Sequence, residues 1–223
     1  MKIIARIFND FTDKFGIPRQ SGLSSVVSEI RFEPHYRNID ALRGIEDFSH
    51  LWLIWNFSQS EKNDWSPTVR PPRLGGNKKV GVFASRSPFR PNPIGLTVVE
   101  LIKVEQTEKY GPVLYVKGAD LLNNTPIYDI KPYIPYCDCH TDATEGYTAK
   151  TKEYSLDVLC SDNLISVIPK KKRETLLTLL SNDPRPSYQN DNSRIYGMDF
   201  AGFNIKFTVK DNTLTVTEIK KLP

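Results

Sequence analysis

Proline sets the terms for this chain. Its 16 prolines and 12 glycines punctuate the sequence densely as far as Pro135. Proline inside a helix removes a hydrogen bond and clashes with the preceding turn. The runs between the breaks therefore read as strands: Ile3 to Phe8, Ser25 to Phe32, His50 to Phe57, Val80 to Ser85, Ile94 to Val104, Val113 to Leu121 and Ile127 to Ile130. The segment HLWLIWNF (His50 to Phe57) is the strongest, with aromatic and β-branched residues throughout. Both of its faces are largely apolar, so it is buried on both sides or closes a barrel. A short helix is predicted over Ile39 to Gly44, capped by Asn38 or Asp40. Many short strands with Gly/Pro turns predict a mainly β fold, closed or sandwiched.

Near Tyr136 the character changes. Residues 137–149 are polar and read as a linker between a β-domain over 1–136 and a small α+β domain over 150–223. In the latter, Tyr154 to Cys160 reads as a strand. Pro169 opens a helix, where proline suits the first turn, and Leu176, Leu177, Leu179 and Leu180 form its apolar stripe. Asp183-Pro184 stops it. A hairpin over Phe203 to Lys210 and Leu214 to Ile219 turns at Asp211-Asn212.

Several functions lose support at this level. No apolar run approaches the roughly 20 residues of a membrane span. Charges at Lys2, Arg6, Asp10 and Asp13 interrupt any signal-peptide core, so a cytoplasmic location is expected. There is no G-x-G-x-x-G after a strand, no phosphate-binding G-x-x-x-x-G-K-S/T, and no G-x-S-x-G elbow. The three cysteines do not form a disulfide framework. Cys137-x-Cys139-His140 is too tight for a zinc half-site, so no metal is expected. A net charge of +4 permits a nucleic-acid partner without requiring one.

Five segments can carry a site. Gly16-Ile17-Pro18-Arg19-Gln20 is a stiffened turn bearing a guanidinium, though also an ordinary surface turn. The polar end of the aromatic strand, Phe57-Ser58, opens toward a ligand. In Ser85-Arg86-Ser87-Pro88-Phe89-Arg90-Pro91-Asn92-Pro93-Ile94-Gly95-Leu96, three prolines hold Arg86 and Arg90 in an extended loop. Fixed guanidinium groups suit carboxylates, phosphates and aromatic faces. The fourth runs from Asp120 to Tyr133: Asn123-Asn124-Thr125-Pro126 is a turn, and Asp129 and Lys131, two apart on a short strand with Tyr128 and Ile130, share one face and either pair or hold a ligand. Finally, the basic cluster Lys170, Lys171, Lys172 and Arg173 precedes Arg185 and Tyr188. Such charge with an aromatic suits RNA, through phosphate contact and base stacking.

The motifs FGIPRQ, FSHLWLIWNF, RPPRLGG, GVFASRSPFRPNPIGL, DLLNNTPIYDIKPY and DPRPSY together resemble the TsaA/TrmO family of S-adenosylmethionine-dependent tRNA N6-adenosine methyltransferases. The match runs from about Phe15 to Tyr133 and resumes at Asp183 to Tyr188. The resemblance implies a small β-barrel rather than a Rossmann methyltransferase, with S-adenosyl-L-methionine bound near a homodimer interface. It implies a tRNA anticodon loop as partner, and as target the N6 of a threonylcarbamoyladenosine at position 37 of a threonine tRNA. The cofactor positions it implies are Pro18, Arg19, Gln20, Phe57, Ser58, Arg86, Leu96, Tyr128, Asp129, Ile130 and Lys131, with Arg90 added. Leu96 and Ile130 are then expected to wall the adenine, Asp129 is a candidate proton acceptor, and Lys170 to Arg173, Arg185 and Tyr188 are expected on the RNA. The alternatives from the residues themselves are a non-catalytic RNA- or nucleotide-binding barrel and, last, a hydrolase using Arg86 and Arg90 as an anion clamp.

Overall fold

The computed structural model describes residues 1–18, 20–23, 25–60, 64–71, 74, 78–150, 154–185 and 191–223. Six strands close into a barrel in the order β1–β2–β7–β6–β3–β8. They are β1 (Ala5–Phe8), β2 (Val27–Phe32), β3 (His50–Asn56), β6 (Ile94–Thr107), β7 (Gly111–Lys117) and β8 (Pro126–Pro132). Every neighbouring pair is antiparallel. A two-stranded piece, β4 (Thr68–Val69) with β5 (Val80–Gly81), stands apart from the ring. Burial alternates along β3, where Leu51, Leu53 and Trp55 point inward. They meet Ala5, Ile7, Ile30, Val99, Leu114, Val116 and Ile127 in one cluster. A six-strand ring is narrow enough for side chains to fill, so the interior is a packed core rather than a channel.

A second core forms where helix α3 (Lys170–Ser181) lies on a sheet ordered β10–β11–β12–β9. These strands are β9 (Asp157–Leu159), β10 (Tyr196–Phe200), β11 (Phe203–Lys210) and β12 (Thr213–Lys221), with β9 parallel to β12. Leu176, Leu179 and Leu180 of the helix pack on Met198, Phe200, Ile205, Phe207 and Leu214. Two short helices, α1 (Pro135–Asp138) and α2 (Asp162–Ile165), complete the set.

Phe11 and Val26, from the segment after β1, are buried in this second core and not in the barrel. Lys172 Nζ meets Asp10 Oδ1 at 2.8 Å, and Ser25 Oγ meets Thr175 Oγ1 at 2.8 Å. Gly16 comes so close to β10 that a Cβ there would stand 2.8 Å from the Asp199 carbonyl. The stretch 9–26 therefore ties the two cores together.

Two local expectations are corrected and one strand is added. Residues Ile39–Leu42 form one 3₁₀ turn, capped by the Asn38 side chain accepting from the Asp40 amide. The predicted strand Val80 to Ser85 ends at Gly81, because Val82–Ala84 curls into a turn held by Ser85 Oγ donating to the Val82 carbonyl. Strand β10 was not foreseen. Its period-2 pattern, Tyr196, Met198 and Phe200, is broken by Gly197 and Asp199, which have little strand preference. Among the described residues no helix is long and apolar enough to cross a membrane.

Candidate functional site at one mouth of the barrel

Register places the candidate segments. Asn56, the last residue of β3, pairs with Ile94, the first of β6; Lys117 ends β7 opposite Val27, which begins β2; Arg6 on β1 faces Pro126 at the start of β8. The connections 9–26, 57–93 and 118–125 thus all leave the barrel at the same end. Sequence segments far apart in the chain are brought together there.

The proline-rich loop is rigid for visible reasons. Ser85 Oγ accepts from the Ser87 amide, Ser87 Oγ accepts from the Phe89 amide, and Arg90 Nη1 donates to the carbonyls of Ser85 and Ser87 at 3.1 and 3.5 Å. Arg90 is therefore the loop's own clasp. Arg86 is exposed and reaches across to the first segment, donating through Nη1 to Gln20 Oε1 at 2.9 Å. Pro18 beside it is buried; Arg19 lies outside the described residues. The Phe57 amide donates to the Pro93 carbonyl at 2.9 Å and its ring packs on Trp55 at 4.2 Å, so the end of β3 is fixed to the loop. Ser58 is exposed in the turn that follows.

Down the outer face of the barrel, Asp129, Ile54 and Leu96 stand in one cross-strand row, and Lys131, Trp52 and Val98 in the next. Leu96 is 57% exposed, a large apolar side chain on a wall next to charge. Asp129 Oδ2 pairs with Lys131 Nζ at 3.3 Å, with both half exposed. Trp55 faces Ile127 while Ile54 faces Asp129, so Tyr128 is the extra residue of a bulge. Bulges re-aim side chains and are frequent beside functional sites. Ile130 opposes Leu53 and packs against the barrel interior. Leu96 and Ile130, expected as two walls of one pocket, do not share a face; parity along β8 turns Ile130 inward when Asp129 and Lys131 face out.

Under the mouth runs a buried polar chain. Trp55 Nε1 donates to Thr97 Oγ1 at 2.9 Å, and Thr97 donates to Asp120 Oδ1 at 2.7 Å. Burial pushes the Asp120 carboxyl above its usual range, against the Thr97 hydrogen bond and the Arg86 charge, which favour the carboxylate. The indole lies flat under β6, so a Cβ on Gly95 would fall 2.2 Å from the ring; only glycine fits. Sequence reasoning gave Trp55, Thr97 and Asp120 no role. The available signal was an acid closing the apolar strand that precedes the Asn123-Asn124 turn.

The basic residues of the second unit divide. Lys170 and Lys171 are exposed at the start of α3. Lys172 is held by Asp10. Arg173 donates to the carbonyls of Ile168 and Ser166, at 2.8 and 2.9 Å. Arg185 grips Asp183 through both carboxylate oxygens at 2.8 and 2.9 Å, and each side chain is 9% exposed. Tyr154 Oη adds a third bond to Asp183. Burial opposes the Asp183 charge, but Arg185 and Tyr154 outweigh it and hold the carboxyl below its usual range. Arg173 and Arg185, expected on RNA, are thus engaged by the chain itself; Tyr188 lies outside the described residues.

The candidate segments are therefore carried by a side-chain-filled β-barrel, a fold class distinct from the doubly wound nucleotide-binding sheets. More narrowly, the chain belongs to the TrmO family: residues 6–139 match the tRNA-methyltransferase O N-terminal domain and residues 153–222 the TrmO C-terminal domain. The tRNA (adenine(37)-N6)-methyltransferase of Escherichia coli K12 is 39% identical over 217 residues, covering 93% of this chain and 92% of that one. A Methanothermobacter thermautotrophicus protein named "Probable S-adenosyl-L-methionine-binding protein" is 40% identical over 123 residues, 55% of this chain and 81% of its own. A crystal structure of TrmO from Pseudomonas aeruginosa superposes with a TM-score of 0.75 at 28% identity, covering 97% of this chain and 96% of that one.

Proposed function

We propose that this protein transfers a methyl group from S-adenosyl-L-methionine to N6 of the adenosine at position 37 of a tRNA. More finely, the target adenosine carries a threonylcarbamoyl group and belongs to a threonine tRNA, and the protein works as a homodimer in the cytoplasm. Residues 1–136 and 150–223 act as cofactor-binding and tRNA-gripping parts joined through 137–149.

The observation that supports this reading is the Arg86–Gln20 contact between two loops at one barrel mouth, with Leu96 and the Asp129–Lys131 pair on the outer face of strands that end there, in a chain with this family kinship. The residues present fit the donor. Its carboxylate suits the exposed Arg86 guanidinium, which Gln20 holds in place. Its adenine suits the exposed Leu96 side chain. Its charged amino group suits Asp129 or a backbone carbonyl of the rim. When bound, the donor supplies an electrophilic methyl group. The chain's own work is positioning: Arg90 and the prolines fix the loop, Phe57 locks it to β3, and in-line displacement gains its rate from such orientation.

The test is direct. The protein is incubated with donor and bulk tRNA, the tRNA is digested, and nucleosides are weighed; one added methyl on a modified adenosine is expected. Binding of donor and tRNA with no transfer leaves the non-catalytic module. Equal methylation of tRNA lacking the threonylcarbamoyl group removes the finer reading and keeps the coarser one.

A further inference from the structure

The polar chain beneath the mouth has no role in the positioning just described, and it ends in an acid. We propose that Asp120, rather than Asp129, is the catalytic residue that accepts the N6 proton of the target adenosine. The proposal rests on the methyl-transfer reading above and names the base for that same site.

Three observations place Asp120 there. It is the third residue of the 118–125 connection, which leaves the barrel at the same end as the connections that carry Gln20 and Arg86. Thr97 donates to Oδ1, and Trp55 fixes Thr97 in turn, so that oxygen is held rigidly. Thr97 is itself 1% exposed on the inward face of β6, opposite to Leu96, so this brace is shielded from water. The carboxyl is thus braced from below and half-buried, as a base beside a reacting atom must be. Asp129 differs on each point. It is half exposed on the outer wall, and its charge is already answered by Lys131 at 3.3 Å.

Burial lifts the Asp120 carboxyl above the ordinary carboxylate range, which makes it a stronger proton acceptor once ionised. Among the described residues the charge that faces it is Arg86 on the proline-rich loop; the polar contacts are the Thr97 hydroxyl on β6 and its own backbone amide, and all three favour the carboxylate. The step balances. The Asp120 carboxylate takes the N6 proton, the nitrogen electron pair forms a bond to the methyl carbon, and the carbon–sulfur bond breaks with its pair left on sulfur. The sulfonium becomes a neutral thioether, and the proton on Asp120 passes to water. A carbamoyl group on N6 draws electron density from the nitrogen and makes this proton easier to remove.

Full-length Asp120→Asn protein is compared with wild type for turnover on bulk tRNA, donor binding by calorimetry and far-UV circular dichroism. Loss of a general base costs about 10²–10⁴-fold in turnover. The expected result is a fall of that size, with donor affinity within about threefold and no acid-side inflection left in the pH–rate profile. A second pair keeps the proposal testable should Asp120→Asn fail to fold. Thr97→Val removes a bond that favours the carboxylate, so the acid limb of the profile moves to higher pH; Thr97→Ser, which keeps the hydroxyl, leaves it in place. Turnover of Asp120→Asn within threefold of wild type, or an acid limb that Thr97→Val does not move, overturns the assignment and spares the methyl-transfer reading. A wild-type chain that methylates no tRNA overturns both.

Discussion

Arg86 and Arg185 occupy near-identical surroundings in the sequence, each followed within two residues by proline and an aromatic not far beyond. In the fold they are opposites. Arg86 is exposed and bonded to a neutral amide, and among the described residues it meets an acid, Asp120, through charge and not through a hydrogen bond. Arg185 is buried and fully answered by a carboxylate two residues earlier. The first is the one proposed above to meet a ligand; the second ties the end of α3 to Tyr154, just before β9. Proline-stiffened arginine is therefore no functional signal by itself. What decides is whether an acid is close enough in the chain to claim the guanidinium first.

The largest effect tests the Arg185 half. Arg185→Ala leaves Asp183 charged and buried without its partner, which costs about 3–5 kcal/mol. Urea unfolding of the full chain reads this, and a loss under 1 kcal/mol would break the contrast. Asp183→Asn is the milder variant, because asparagine tolerates the left-handed backbone at φ 54°. The pH dependence follows from the sign of the shift. Asp183 sits below its unfolded carboxyl range when folded, so its contribution is complete above that range and is lost as pH falls through the folded value. Wild type should lose stability steeply below about pH 4, and Asp183→Asn should flatten that slope.

The Arg86 half predicts the reverse pattern. Arg86→Ala removes a charge-assisted contact to the donor, worth about 1.5–3 kcal/mol, or roughly 10–150-fold in donor affinity. Its melting temperature should stay within about a degree of wild type, because the side chain is exposed and its single described bond is to Gln20. Calorimetry and a thermal melt on the same sample decide it. A variant that binds donor normally but melts early would make Arg86 a second Arg185.

The barrel was legible because its signals are local. Alternation in β3 and the proline-glycine breaks act within a few residues, and the wall parity of Asp129 and Lys131 follows from the two-residue strand repeat. The polar chain was not legible. Trp55, Thr97 and Asp120 belong to three strands or loops, and only the pairing of β3 with β6 and of β6 with β7 brings them together. The same limit explains Arg173, which looks like one of four equivalent cations in KKKR. It is set apart only by helix geometry that turns it back onto the Ile168 and Ser166 carbonyls. Phe11 and Val26 read as barrel residues until the fold places them in the other core.

The smallest effect separates the three lysines. All three stand at the N-terminus of α3, where positive charge opposes the helix dipole and Pro169 provides no side-chain cap. A helix start of this kind is mildly costly, so each lysine needs a compensating use. Lys172 has one in Asp10, a partly exposed pair worth about 0.2–1 kcal/mol. Lys170 and Lys171 are exposed, and under the proposed function they meet RNA phosphate. Lys170→Ala and Lys171→Ala should each lower the slope of log affinity against log salt by about 0.7–0.9 for tRNA, while donor affinity holds. Lys172→Ala should leave that slope alone and instead lower unfolding stability by its small pair energy. If all three variants shift the salt slope equally, the Asp10 pair opens when RNA arrives, and the stretch 9–26 that joins the two cores becomes part of the tRNA grip rather than a fixed brace.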